Sequence, residues 1–185
     1  DNTGATDEEI EASKIIKYCA VNESSTGREV IVKIATEKDN VLSPLDADKI
    51  EAIYEYTKRV KGTGIPYRII NYLPDRLKLN IRIIRDPLVI NAKGMDITSG
   101  KYPVQEALQE FMKELPFNGE LRIQDLANKL EAVTGVNLVS VDLAQSCWIN
   151  AADNDYGDWT TIDVRRIPES GYYKIEDFNG ISYEV

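Results

Sequence analysis

Two hydrophobic periods divide the middle of the chain into predicted strands and helices. Apolar and polar side chains alternate from Leu77 to Ile83, which predicts a strand with one face on a core and the other wet or in a partner interface. Residues 103–115 and 124–134 instead repeat their apolar side chains at helical spacing, so each predicts an amphipathic helix. The stretch Gly100–Leu143 is therefore predicted to form a helix–strand–helix–strand packing unit.

The chain begins with a predicted helix. Thr6 and Glu9 have the three-residue spacing of a capping box, in which each side chain bonds the backbone N–H of the other residue. A rough apolar stripe follows at helical spacing as far as Ala20. We therefore expect the helix to run through most of the first twenty residues.

A β-α-β unit is predicted next. Residues 29–35 are rich in β-branched side chains, which favours a central strand. Pro44 suits the first position of a helix over residues 45–60, and residues 67–72 resemble a second strand. A parallel pairing of the two strands with a right-handed crossover is the expected connection.

These elements predict an α+β fold of two small modules. The Pro74-Asp75 turn marks a boundary between them. The first module is a β-α-β unit, and the second is a split β-α-β sandwich with two helices on one sheet face. Strand patterns on both sides of residues 168–171 predict a C-terminal hairpin. Residues 91–101 are predicted to form a mobile loop. The predicted divisions are an N-terminal helix plus β-α-β module at 1–73, an α/β sandwich module at 74–150, and an acidic loop with a C-terminal β extension at 151–185.

The charge of the chain is negative overall but uneven. The net charge is −9, which argues against nucleic acid as a main ligand, because phosphate binding needs a cationic surface. Residues 61–101 nevertheless carry eight cations and three anions. Two interpretations stay open: a mixed solvated surface, or a basic strand face that meets an acidic face of another subunit.

Several classes of chemistry find no support in the composition. The chain has no histidine, which removes Ser-His-Asp, Cys-His and imidazole acid–base catalysis within it. Its two cysteines have no metal-ligand spacing and are too few for a disulfide framework. No apolar run approaches the roughly 20 residues that cross a bilayer, so we expect no membrane association. The chain begins with Asp1 rather than methionine, and we expect it to be part of a longer protein.

Three candidate sites are weighed against simpler interpretations. Residues 153–158 resemble a calcium loop, but their glycine and final ligand fall at the wrong positions. Asp46 and Asp48 could serve a small metal-dependent nucleotidyl- or phosphoryl-transfer enzyme, although the dipole of a helix N-terminus already explains them. Trp148 and Trp159 could bind carbohydrate, but core or interface packing fits them better. We assign no catalytic, cofactor-binding or metal-binding residue and expect no cofactor.

Four segments of the chain resemble one protein family. They are Val30-Ile31-Val32-Lys33-Ile34 with Pro44 and a helix ending in Gly62-Thr63-Gly64; Pro66–Tyr72 leading into the alternating strand Leu77–Ile84; the helix Val104–Leu115 followed by Asn118–Ile123; and Leu126–Val136, which ends in Val133-Thr134-Gly135-Val136. Their order and spacing over residues 28–145 resemble the C-terminal region of phage baseplate J-like proteins, which are wedge components of contractile tails. The C-terminal segment with Trp159 departs from that pattern.

The resemblance implies a structural role rather than an enzymatic one. It predicts a subunit of a phage or prophage baseplate that acts by protein–protein contacts with other wedge and hub proteins, with self-association also possible. Such a subunit is found in the virion, and in the bacterial cytoplasm during assembly. The basic segment supplies the candidate interface residues, which are Arg76, Lys78, Arg82 and Arg85.

Overall fold

The computed structural model describes residues 4–24, 27–38, 41–62 and 64–185. The chain has an α+β fold and divides into two compact units, Asp1–Leu73 and Pro74–Val185. Residues 151–185 belong to the second unit. Thr63, in the glycine fragment after the second helix, lies outside the described residues.

The first unit is a small sheet with one long helix. Its elements are α1 (Asp7–Ser13), β1 (Tyr18–Glu23), β2 (Val30–Lys38), β3 (Val41–Ser43), α2 (Ala47–Val60) and β4 (Tyr67–Ile70). β2 pairs antiparallel with β1 and β3 and parallel with β4. The parallel β2–α2–β4 pairing confirms the predicted β-α-β unit. Its core gathers around Ile34, Leu45 and Ile69.

The N-terminal prediction is right at its start and wrong at its end. Thr6 N–H donates to Glu9 Oε2 at 2.8 Å, and Glu9 N–H donates to Thr6 Oγ1 at 3.2 Å, so the capping box is present. The helix ends at Ser13, however, and Tyr18–Glu23 forms β1 against β2. Pairing with a long β-branched strand outweighs a weak helical stripe, since tertiary context overrides local propensity.

The second unit carries the larger sheet and two helices. Its elements are β5 (Asp75–Arg85), α3 (Pro103–Glu114), β6 (Leu121–Arg122), α4 (Ile123–Glu131), β7 (Val136–Cys147), β8 (Ile149–Asn150), β9 (Asp155–Tyr156), β10 (Thr160–Thr161), β11 (Arg165–Arg166), β12 (Tyr173–Ile175) and β13 (Ile181–Glu184). The run from α3 to β7 confirms the predicted helix–strand–helix–strand unit.

The core of this unit lies between one sheet face and the two helices. The odd-numbered side chains of β5, from Leu77 to Ile83, are at most 3% exposed. They pack in one cluster with the apolar stripes of α3 and α4. Both helices therefore cover the same face of the sheet, as the hydrophobic pattern predicts, and the even-numbered side chains of β5 project from the opposite face.

The strand pairing differs from the prediction in two ways. β5 and β7 are direct antiparallel neighbours, so no strand lies between them as a split β-α-β arrangement would require. The predicted C-terminal hairpin is also absent from the described residues. β10 pairs with β7, β11 with β6, and β12 and β13 each pair in parallel with β5. The turn at 168–171 is tied to Asp75 at the start of β5, and the chain continues along that strand rather than back along β11.

Hydrogen bonds and one close contact shape the loop between β5 and α3. Asn91 Oδ1 accepts the N–H groups of Lys93 and Met95, and Ile90 is fully buried. Gly94 has φ +81°, and a Cβ at this position would overlap the ring of Tyr183. Local hydrogen bonds and a close contact thus shape the segment that contains residues 91–101, and the mobility expected of it stays a prediction.

Candidate interaction surface

The candidate site is the sheet face of the second unit that the helices leave uncovered. Because paired residues of neighbouring strands project to the same side of a sheet, the register of β5 with β7 defines this surface. We call it the outer face, and on these two strands it comprises Arg76, Lys78, Asn80, Arg82, Ile84, Leu138, Ser140, Leu143, Gln145 and the buried Cys147. Three of the four predicted interface residues therefore lie on one surface.

Arg82 forms the best-defined interaction on the outer face. Its Nε and Nη2 atoms lie 2.6 and 2.9 Å from the two carboxylate oxygens of Asp142. Asp142 is the extra residue of a β-bulge, because Asn80 faces Leu143 while Ile81 faces Val141. The hydrogen bonds from Arg82, followed by one from Ser140, hold the pKa of Asp142 below its usual value. The bulge thus aims a carboxylate at the guanidinium and fixes its orientation.

Arg76 is held from two sides. Its guanidinium carbon lies 4.0 Å from the centre of the Tyr156 ring, and its Nε lies 3.3 Å from Glu176 Oε2. Tyr156 is fixed in turn, because its hydroxyl donates to the Pro74 C=O at 2.8 Å. Stacking on an aromatic ring and pairing with a carboxylate together restrict this side chain.

Lys78 and Arg85 have opposite environments. Lys78 is exposed on the outer face and has no ion-pair partner in the part of the chain that the structure describes. Arg85 flanks that face at the end of β5, and its Nη1 donates to the Ile90 C=O at 2.8 Å. The Nε of Arg85 is buried without a hydrogen-bond partner. Lys78 is therefore the side chain of the four that is most available to a partner.

The outer face carries both signs of charge. The cations of β5 lie beside Asp142 of β7, Glu176 directly after β12, and Glu184 of β13. The cations of β5 on this face thus form ordered charge pairs, except for Lys78, which has no ion-pair partner among the described residues. Exposed apolar area adjoins it, because Leu138, paired with Ile84, is 55% exposed. Apolar area beside fixed polar groups is the usual composition of a protein–protein interface.

An open cleft indents this face. It has a volume of about 370 Å³ and is lined by polar side chains that include Asn80, Arg82, Asp142, Asn179 and Ser182. The cleft forms where the C-terminal strand is interrupted between β12 and β13. There the backbone at Gly180 lies so close to β5 that a Cβ would overlap the Leu79 C=O.

Among the described residues, Asp75 is the most deeply buried acidic group, and its partners explain how the fold accommodates it. Its carboxylate oxygens accept the N–H groups of Glu169 at 2.7 Å and Ser170 at 3.0 Å. Ser170 Oγ also accepts the Asp75 N–H at 3.1 Å. Burial raises the pKa of Asp75, and these hydrogen bonds act in the opposite direction. The carboxylate therefore anchors the 168–172 turn beneath β5, a role that sequence reasoning missed.

The other candidate residues have local partners of their own. In the acidic loop, Asn150 donates to Asp153 and the Tyr156 N–H to Asp155. No group of three or more acidic or cysteine side chains is arranged to hold a metal ion among the described residues. Trp148 is covered by the Arg166 guanidinium, 4.4 Å from its ring centre, and Asp46 binds Lys38 at 2.7 Å.

The sequence predicted which strand face carries the cations but not which carboxylates pair with them. Alternation along β5 placed the cations on one face, whereas Asp142 and Glu176 are distant in sequence and gave no signal.

Within the described ranges, no helix has the length and apolar character needed to cross a membrane. Neither the models of known protein families nor the curated proteins compared with this chain give a significant match to it.

Proposed function

We propose that this protein is a structural subunit of a phage or prophage contractile-tail baseplate that takes part in wedge assembly through its outer face. The assignment to a baseplate rests on the resemblance of residues 28–145 to baseplate J-like proteins. In this role the chain is not an enzyme. It resides in the virion after assembly in the bacterial cytoplasm, and its partners are other wedge and hub proteins.

The observation that carries the proposal is the fixed charge arrangement of the outer face. A bidentate Arg82–Asp142 pair and a stacked Arg76 hold polar groups in place next to the unpaired Lys78 and the exposed Leu138. Side chains that are already ordered lose little conformational entropy on binding. Ordered charges also reject partners whose charges do not match. Both properties suit a subunit that must meet its neighbours in one geometry.

The test is binding to the proteins encoded beside this chain in its genome. Lys78→Glu should weaken binding roughly fivefold, because a single rim charge contributes about 1 kcal/mol, and adding Arg82→Gln should weaken it further. The matched control is Lys113→Glu, since Lys113 is also an exposed lysine without an ion-pair partner in the described chain but lies on α3, across the sheet. This control should bind like the unmodified protein.

Two results would contradict the proposal. One is unchanged binding by the Lys78→Glu/Arg82→Gln variant at the same stability. The other is stabilisation of the protein against heat by magnesium with a nucleoside triphosphate, which a metal-dependent transfer enzyme would show and a structural subunit would not.

A further inference from the structure

A second exposed surface lies on the loop between β5 and α3, at residues 86–102. Three large apolar side chains project from it: Leu88 is 86% exposed, Ile97 55% and Tyr102 41%. Single exposed apolar residues are ordinary on protein surfaces, whereas several on one short segment indicate a contact site. None of the three belongs to the outer face.

Hydrogen bonds order the backbone of the loop at these residues. Asp86 Oδ1 accepts the Leu88 N–H at 2.8 Å, and the Ile97 N–H donates to the Val89 C=O at 2.9 Å. The Asp96 N–H donates to the Lys101 C=O at 2.8 Å, next to Tyr102. A backbone that is already ordered lowers the entropic cost of binding.

The charges of the loop indicate what kind of partner fits. Lys93 and Lys101 are exposed and have no ion-pair partner in the described chain. The carboxylates of Asp86 and Asp96, in contrast, accept backbone N–H groups of the loop itself. The positive groups of the loop are therefore available to a partner, while the negative groups are engaged within the loop.

We infer that this loop docks onto a protein surface that is apolar at its centre and rimmed by carboxylates. Leu88 and Ile97 supply the apolar contact, and Lys93 and Lys101 pair with the acidic rim. The inference goes beyond the proposed function, because it assigns a second contact surface and does not depend on a baseplate setting. The outer face can fail its test without affecting this one.

Two synthetic peptides provide the test. One is a fluorescent, capped peptide that alternates glutamate with leucine and phenylalanine, and the other replaces each glutamate with lysine. The acidic peptide should bind at least about tenfold more tightly, a difference of about 1.4 kcal/mol. Lys93→Glu combined with Lys101→Glu should reverse the preference, and Leu88→Ser combined with Ile97→Ser should remove binding of both peptides.

The control variant is Val164→Ser, which removes an apolar side chain that is 71% exposed elsewhere in the same unit. It should bind the acidic peptide normally. All of these substitutions are at exposed positions, so the melting temperature should change little. Equal binding of the two peptides, unchanged binding by the Leu88→Ser/Ile97→Ser variant, or no binding at about 1 mM peptide would overturn the inference. A dimer, or binding to phosphatidylglycerol vesicles, that this variant abolishes would also overturn it, because the occupant would then be a second copy or a membrane.

Discussion

At the scale of single residues, Asp75 links the start of β5 to a turn almost a hundred positions later. Both of its carboxylate oxygens accept backbone N–H groups, from Glu169 and Ser170. In Asp75→Asn, the amide NH₂ would face one of these donors and leave it unpaired. We predict a loss of about 1–3 kcal/mol in the free energy of unfolding, measured by denaturant titration. Unchanged stability would show that the turn does not depend on this carboxylate.

Two half-buried tyrosines should differ in how stability responds to loss of the hydroxyl. The Tyr173 hydroxyl donates to the Arg166 C=O at 3.2 Å, whereas the Tyr183 hydroxyl is buried without a hydrogen-bond partner. Tyr173→Phe should therefore cost about 1 kcal/mol of stability. Tyr183→Phe should leave stability unchanged or raise it, because a buried unpaired polar group is unfavourable. Equal destabilisation of the two variants in thermal unfolding would argue against this distinction.

Residue-level pairing is what the sequence could not reveal. The alternation of β5 placed Arg82 on a solvated face, but its partner Asp142 lies sixty positions away in a bulge. Asp75 appeared in the sequence only as part of a turn, since nothing nearby indicates that its carboxylate binds Glu169 and Ser170. Contacts between distant segments depend on register, and register is fixed by the assembled sheet.

At the scale of elements, the prediction succeeded where a period was strong and local. The helix predicted at 103–115 is present as α3 (Pro103–Glu114), and the alternating strand is present as β5. It failed where strand pairing was decided by distant segments. Residues predicted to be helical form β1 instead, because they pair with β2. The strands β12 and β13 pair with β5 rather than with each other.

The interruption between β12 and β13 depends on a glycine. A Cβ at residue 180 would overlap the Leu79 C=O and come within 2.6 Å of Asn80 Oδ1. We predict that Gly180→Ala displaces the C-terminal strand and costs about 1–3 kcal/mol, as other overpacked substitutions do. Amide hydrogen exchange should then accelerate for residues 181–184, which pair with β5. The matched control, Gly100→Ala, also introduces a Cβ, but into open space, and should leave exchange in β13 unchanged although its positive φ adds local strain.

At the scale of the whole molecule, the second unit should lose stability in alkaline solution. Burial raises the pKa of Tyr172, Tyr173 and Tyr183 above the ordinary value of 10, and that of Tyr183 to about 12. The folded state therefore keeps protons that the unfolded state releases. The stability that these groups contribute is complete below pH 10 and declines as pH rises from there towards the folded-state pKa values.

Denaturant unfolding at a series of pH values between about 8 and 11.5 tests this expectation. The free energy of unfolding should be level up to pH 10 with respect to these tyrosines and fall above it, and Tyr183→Phe should fall less steeply. A Tyr183→Phe variant with the same alkaline loss as the unmodified protein would indicate that Tyr183 titrates normally.

The distribution of charge over the surface is also a property of the whole fold. The β5 part of the positive segment lies on an outer face with both signs of charge, because Asp142, Glu176 and Glu184 lie beside its arginines. Lys78 remains unpaired on that face among the described residues. An assembly role for this surface therefore requires that Lys78 contact a partner.

Covalent labelling of lysines, compared between the free protein and the intact tail particle, tests the central claim most directly. Lys78 and Lys113 are both exposed in the chain by itself, one on the outer face and one on α3. Mass spectrometry should find both labelled in the free protein. In the particle, the account predicts that Lys78 is protected while Lys113 still reacts. Absence of the chain from the particle, or full labelling of Lys78 within it, would contradict the account.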